Sequence, residues 1–260
     1  MTNLPPSLGQ AQSAPRGGQG DLGRPGVALK GFFVTGTDTE IGKTCITAGL
    51  TAALQNAGLR VAPIKSLAAG QEQDESGRWV NEDVQQLHAA QTLGLSLDEV
   101  GPLQFRTPCA PHIAARIDGG AIDREALLQK IRSTAAKADL ALVEGVGGFR
   151  VPLTDHWDTA DLAVDLQLPV ILVVGLRLGC INHALLTAEA IRSRGLRLVG
   201  WVANTADPDM PHVADNLIAL QAGLAVPCLG QVPRLASPEP AAVAAHLTQL
   251  SVLLSELPQA

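Results

Sequence analysis

Aromatic side chains are nearly missing from this chain: 260 residues hold no tyrosine, four phenylalanines and three tryptophans. A core short of rings must be packed from aliphatic groups, and Ala, Leu, Val and Ile supply most of the 46 % apolar content. Cysteine is scarce too. Cys45, Cys109, Cys180 and Cys228 stand far apart and form no CxxC pair. That excludes a disulfide framework and a cysteine zinc site, and fits reduced thiols in the cytoplasm. Positive charge is in deficit, with 19 Lys and Arg against 25 Asp and Glu for a net charge of −6. General nucleic-acid and membrane-surface binding, which rest on Lys and Arg, are therefore not expected. No apolar run reaches membrane-spanning length; the best, LPVILVVGL at 168–176, suits a buried strand.

Residues 1–28 are rich in Pro, Gly, Gln and Ser, and their only basic residues are Arg16 and Arg24. They lack a secretory apolar segment and the cation density of a transit peptide, so a flexible tail is expected. Without an internal repeat or linker, residues 29–260 are expected to form one domain.

From there β-rich runs alternate with helical patterns. Strands are expected at 31–35, 59–65, 138–145, 168–175, 196–204 and 226–233. Helices are expected at 42–58, near 82–93, at 123–137 with Asp123 as N-cap, at 182–194, and from about Pro240 to Ser255. This alternation implies right-handed βαβ units, hence an α/β fold with a mostly parallel sheet covered by helices on both faces. Ligands in such sheets bind beyond the carboxyl ends of the strands. The notable polar segments fall there: Thr35–Thr44, Lys65, Glu144–Gly148, Gly179–Asn182 and Asn204.

The segment GTDTEIGKT (36–44) lies between the first strand and the first helix. It departs from the strict G-x-x-x-x-G-K-[ST] phosphate loop, which would need glycine where Thr37 stands, but Gly42-Lys43-Thr44 is intact. Loop and helix N–H groups can surround a β-phosphate, Lys43 can serve the β/γ oxygens, and the Thr44 hydroxyl can serve Mg²⁺. Glu144 ends an apolar strand beside that loop, a position suited to holding a metal or a water. Lys65 ends the second strand, either as a second cation for a polyphosphate or as an ordinary surface lysine. Asp83 reads most simply as a first-turn acid favoured by the helix dipole. Gly179–Asn182 open a helix at the rim, a place for a carboxylate; His183 reads as packing or capping. Asn204 is either a partner for a nucleobase edge or a turn asparagine.

Taken together, GTDTEIGKT, IKSLAAG (64–70), NEDVQQL (81–87), VEGVGG (143–148), LGCINHALLTAEAI (178–191), GWVAN (200–204) and LGQVP (229–233) resemble the dethiobiotin synthetase family, in family order over about 200 residues. The resemblance implies a P-loop NTPase-type domain that uses ATP and Mg²⁺ to close a ureido ring on 7,8-diaminononanoate with CO₂. It places Glu40, Ile41, Gly42, Lys43, Thr44 and Cys45 around the nucleotide, with Asn204 and Pro233 beside the adenine. Thr44, Asp83 and Glu144 become the Mg²⁺ set and Lys65 the catalytic lysine, joined by Lys43 and by Thr39 near the diamine. Gly147 falls near the transferring groups. Ala69 lies at the substrate, and Gly179, Cys180, Ile181 and Asn182 take the substrate carboxylate across a homodimer interface. Two positions depart from the family's KPVASG: Ser66 replaces proline, and Ala69 replaces a serine that contacts substrate. A P-loop switch ATPase is the rival, but such proteins carry a lysine where Asp38 stands.

Overall fold

The computed structural model describes residues 29–257; the expected tail, 1–28, lies outside them. Six strands carry the architecture: β1 (Gly31–Gly36), β2 (Val61–Lys65), β3 (Leu140–Glu144), β4 (Val170–Leu176), β5 (Leu198–Thr205) and β6 (Cys228–Val232). They form one parallel sheet in the order β6-β5-β4-β1-β3-β2. The main helices are α1 (Lys43–Asn56), α2 (Glu82–Ala90), α3 (Arg124–Ala135), α4 (Thr159–Leu166), α5 (Cys180–Ser193) and α6 (Val213–Leu224).

Alternation along each strand divides the interior. Phe32 and Val34 of β1, Leu140 and Leu142 of β3, and Ile171 and Val173 of β4 face Ile46, Leu50 and Leu54 of α1. Their neighbours Phe33, Ala141, Val143, Leu172 and Val174 face Val84 and Leu87 of α2, Leu128 and Ile131 of α3, and Ala184 and Ala188 of α5. Every residue of β1, β2, β3 and β4 is buried, which explains why these strands read as unbroken apolar runs. Asp123 caps α3 as expected, its carboxylate accepting the Ala126 N–H at 2.9 Å.

The last expected helix is in fact two, α7 (Pro240–Ala244) and α8 (Leu250–Glu256). Between them the backbone presses on β6: a Cβ on Gly230 would stand 2.1 Å from the His246 carbonyl oxygen, and the Gln249 N–H donates to Leu229 O at 3.1 Å. That contact diverts the chain from the helix its residues favour. Helix α4 and helix α6, together with short hairpins at 72–80 and 152–158, lay outside the sequence pattern.

Candidate active site

β1 ends in the middle of the sheet, so the loop 37–42 emerges at the rim between β4 and β3. Thr37 anchors it, its N–H donating to Val173 O at 3.0 Å. Glu40 and Gly42 both take left-handed backbone, with φ of 58° and 81°. Gly42 has no room for a side chain, since a Cβ would lie 2.3 Å from Asn204 Nδ2. The Asn204 amide in turn donates to Ile41 O at 2.8 Å. Asn204 therefore fastens β5 to the phosphate loop rather than standing free at a turn. The first N–H groups of α1, which no helical carbonyl can take, open into this loop.

Lys43 is buried and reaches back to donate to Asp38 O at 2.7 Å. Asp38 is also ion-paired with Arg177 at the end of β4. Burial pulls the Lys43 pKa down to about 8, with Glu144 pulling the other way and Lys65 adding to the depression. A buried ammonium held this way is poised to receive an anion.

Lys65 and Glu144 are register partners at the ends of β2 and β3. Lys65 Nζ donates to Glu144 Oε1 at 2.7 Å and to Asp83 Oδ2 at 2.5 Å, and Thr44 Oγ1 donates to Glu144 Oε1 at 2.7 Å. Burial opposes the Lys65 charge, but Glu144 and Asp83 overcome it and raise its pKa above the ordinary value. Asp83 is shifted down: burial works against its ionisation, and the Lys65 charge prevails. Asp83 is a first-turn acid, as read, but not only that, because the start of α2 aims its carboxylate at the end of β2. Lys65 is likewise no surface lysine, at 4 % exposed.

Glu144 is fully buried, and its second oxygen, Oε2, has no hydrogen-bond partner. A buried carboxylate oxygen left open beside a hydroxyl and a second carboxylate fits a divalent cation. Among the described residues no three His, Cys, Asp or Glu side chains form a metal cluster. Thr44, Asp83 and Glu144 could hold such a cation between them.

A cavity of about 790 Å³ lies over this cluster, lined by Thr39, Glu40, Gly42, Lys43, Thr44, Cys45, Lys65, Ala69, Asp83 and Gly147. Gln86, Cys109 and Val151 also line it and were missed in the sequence; Gln86, three residues beyond Asp83 on α2, was findable from helical spacing. A second hollow of about 340 Å³ joins Glu40, Ile41, Gly42 and Cys45 to Asn204 and Pro233. Gly179, Cys180, Ile181 and Asn182 line neither. Gly179 caps α5 and Cys180 is 2 % exposed. His183, expected to pack or cap, is exposed.

Residues 30–242 match a family described as AAA domain. The ATP-dependent dethiobiotin synthetase BioD of Janthinobacterium sp. (strain Marseille) is 54 % identical over 218 residues, covering 83 % of this chain and 92 % of that one. The corresponding protein of Aromatoleum aromaticum is 51 % identical, covering 84 % and 96 %. The chain belongs to the dethiobiotin synthetase family. Among solved structures, a MinD cell division protein of Aquifex aeolicus (TM-score 0.50, 15 % identity) and its MinC:MinD complex (TM-score 0.52, 16 % identity) cover 89 % of this chain and 99 % of theirs. At that identity they share the fold, a parallel P-loop sheet, and nothing more. Within the dethiobiotin synthetase family pattern, the departure at Ser66 acquires a physical meaning. Its N–H and hydroxyl both donate to Glu144 O, at 3.0 and 2.8 Å, and proline could make neither bond.

Proposed function

We propose that this chain uses ATP to carboxylate 7,8-diaminononanoate with CO₂ and close the ring to dethiobiotin, releasing ADP and phosphate. The observation that carries the reading is the convergence of Lys43, Lys65, Asp83 and Glu144 under one cavity. One substrate amine adds to CO₂ and loses a proton, giving a carbamate. A carbamate oxygen attacks the γ-phosphorus of ATP, and the bond to ADP breaks. The second amine then attacks the carbamate carbon, phosphate leaves with the former carbamate oxygen, and the ring is closed.

No protein nucleophile is needed, since the substrate brings its own. The work of the chain is positioning and charge compensation. Lys43 and the N–H groups of Gly42, Thr44 and Cys45 would hold the phosphates, and the hollow bordered by Ile41, Asn204 and Pro233 would take the adenine. Lys65 would meet the carbamate and the γ-phosphoryl oxygens. Thr39, Ala69 and Gly147 would wall the diamine. Thr44, Asp83 and Glu144 would hold Mg²⁺, which when bound would offset charge on the β/γ oxygens.

The same reading includes a homodimer working in the cytoplasm. Leu178 at the entry to α5, Leu186 on α5 and Ile218 on α6 are 94 %, 58 % and 69 % exposed. A second copy covering these apolar side chains would bring Gly179–Asn182 of one protomer toward the substrate of the other.

The test is product formation together with the dependence of ADP release on substrate. Purified chain with MgATP and bicarbonate should release ADP only when the diamine is added, with dethiobiotin identified by mass. Release at full rate without diamine would favour a switch ATPase.

A further inference from the structure

We infer that Asn81 is a positioning residue for the diamine, its amide joining the helix that carries Asp83 to the turn that walls the substrate cavity. The inference rests on the proposed function and adds a residue to it.

Asn81 is buried, at 6 % exposed, and its side chain is used at both ends. Oδ1 accepts the Val84 N–H at 3.3 Å and so caps α2. Nδ2 donates to Gly70 O at 3.0 Å and to Ala69 O at 3.3 Å. On its other side the same turn is fixed by backbone alone: Ala68 N–H to Leu103 O and Gly70 N–H to Phe105 O, each at 3.0 Å. Asn81 supplies the side-chain half of that clamp.

Capping by itself does not call for asparagine. Serine and aspartate cap about as well, but neither carries an NH₂ group able to serve two carbonyls. The second function therefore selects the residue. Ala69 lines the main cavity, and Asp83, two residues beyond Asn81, holds the Lys65 ammonium. One amide thus sets the distance between the substrate wall and the ion cluster. Because Ala69 offers no hydroxyl to a ligand, its contribution to the cavity wall depends on where its backbone is held.

The experiment compares Asn81→Ser and Asn81→Asp with the unmodified chain, all checked for folding by circular dichroism. Both variants keep the cap acceptor and lose the NH₂ donors. The diamine KM should rise about tenfold, while the ATP KM stays within about twofold and kcat within about threefold. An unchanged diamine KM in a folded Asn81→Ser protein would overturn the inference. So would an equal rise in both KM values, or unfolding of both variants, since each marks a structural role only. An unmodified chain that forms no dethiobiotin would instead overturn the underlying function, and this inference with it.

Discussion

Two ammonium groups share the rim of the sheet, and their surroundings push them in opposite directions. Lys65 is held charged by Glu144 and Asp83. Removing it leaves the fully buried Glu144 carboxylate with the Thr44 hydroxyl as its one remaining donor among the described residues. Lys65→Ala should lower turnover by on the order of 10³-fold and stability by about 3 kcal/mol. Adding Glu144→Gln should restore much of the stability, read by denaturant titration, and none of the ring closure. Full turnover in folded Lys65→Ala protein would remove Lys65 from the catalytic set. Lys43 has the opposite balance, its pKa depressed by burial from 10.5 to about 8. Between those values the unfolded chain binds the proton more tightly, so this residue's contribution to stability rises with pH across the window. Below about pH 8 the penalty of the buried charge is fully present. With nucleotide and metal removed, the stability difference between the unmodified chain and Lys43→Met should shift toward the unmodified chain by up to about 3 kcal/mol from pH 8 to 10.5. A flat difference would show that Lys43 is well solvated. The residue scale is also where sequence reading was weakest. Lys65 and Asp83 lie 18 positions apart, and nothing local announces that the end of β2 faces the start of α2.

At the scale of elements much was legible, for a definite reason. Strands β1, β3 and β4 are buried on both faces, so their apolar runs are unbroken, and α1 begins where a lysine and a threonine follow Gly42. The phosphate loop could be read because Gly42, at φ of 81°, stands directly beside Lys43 and Thr44 in the sequence. The split between α7 and α8 could not, because contact with Gly230 and Leu229 imposes it. Helix α5 raises a different question. Its first turn holds the expected carboxylate-binding residues, yet they miss the cavity of their own chain while Leu178 and Leu186 stay exposed beside them. Leu186→Asp would place a charge in the proposed apolar contact. It should give a monomer by sedimentation velocity and raise the diamine KM at least about tenfold, with the ATP KM within about twofold. A dimer retained at micromolar concentration would move the interface elsewhere.

For the molecule as a whole, the sheet brings residues from distant parts of the chain to one edge. Thr44 and Glu144 are 100 positions apart and hydrogen-bonded; Ile41 and Asn204 are 163 apart and hydrogen-bonded. The fold by itself does not fix the chemistry of that edge, since proteins at 15–16 % identity share it. Here the edge carries buried Lys65 and Glu144 together with half-exposed Asp83, beside a cavity of about 790 Å³. If that cavity presents a carbamate to the γ-phosphate, oxygen must pass from CO₂ to phosphate. The direct measurement is a turnover with ¹⁸O-labelled CO₂ in unlabelled water, with the released phosphate read by mass spectrometry. One labelled oxygen per phosphate, matched to dethiobiotin formed, is predicted. Phosphate that takes its new oxygen from water would mean that ATP is hydrolysed rather than used to activate a carbamate, and would contradict the account.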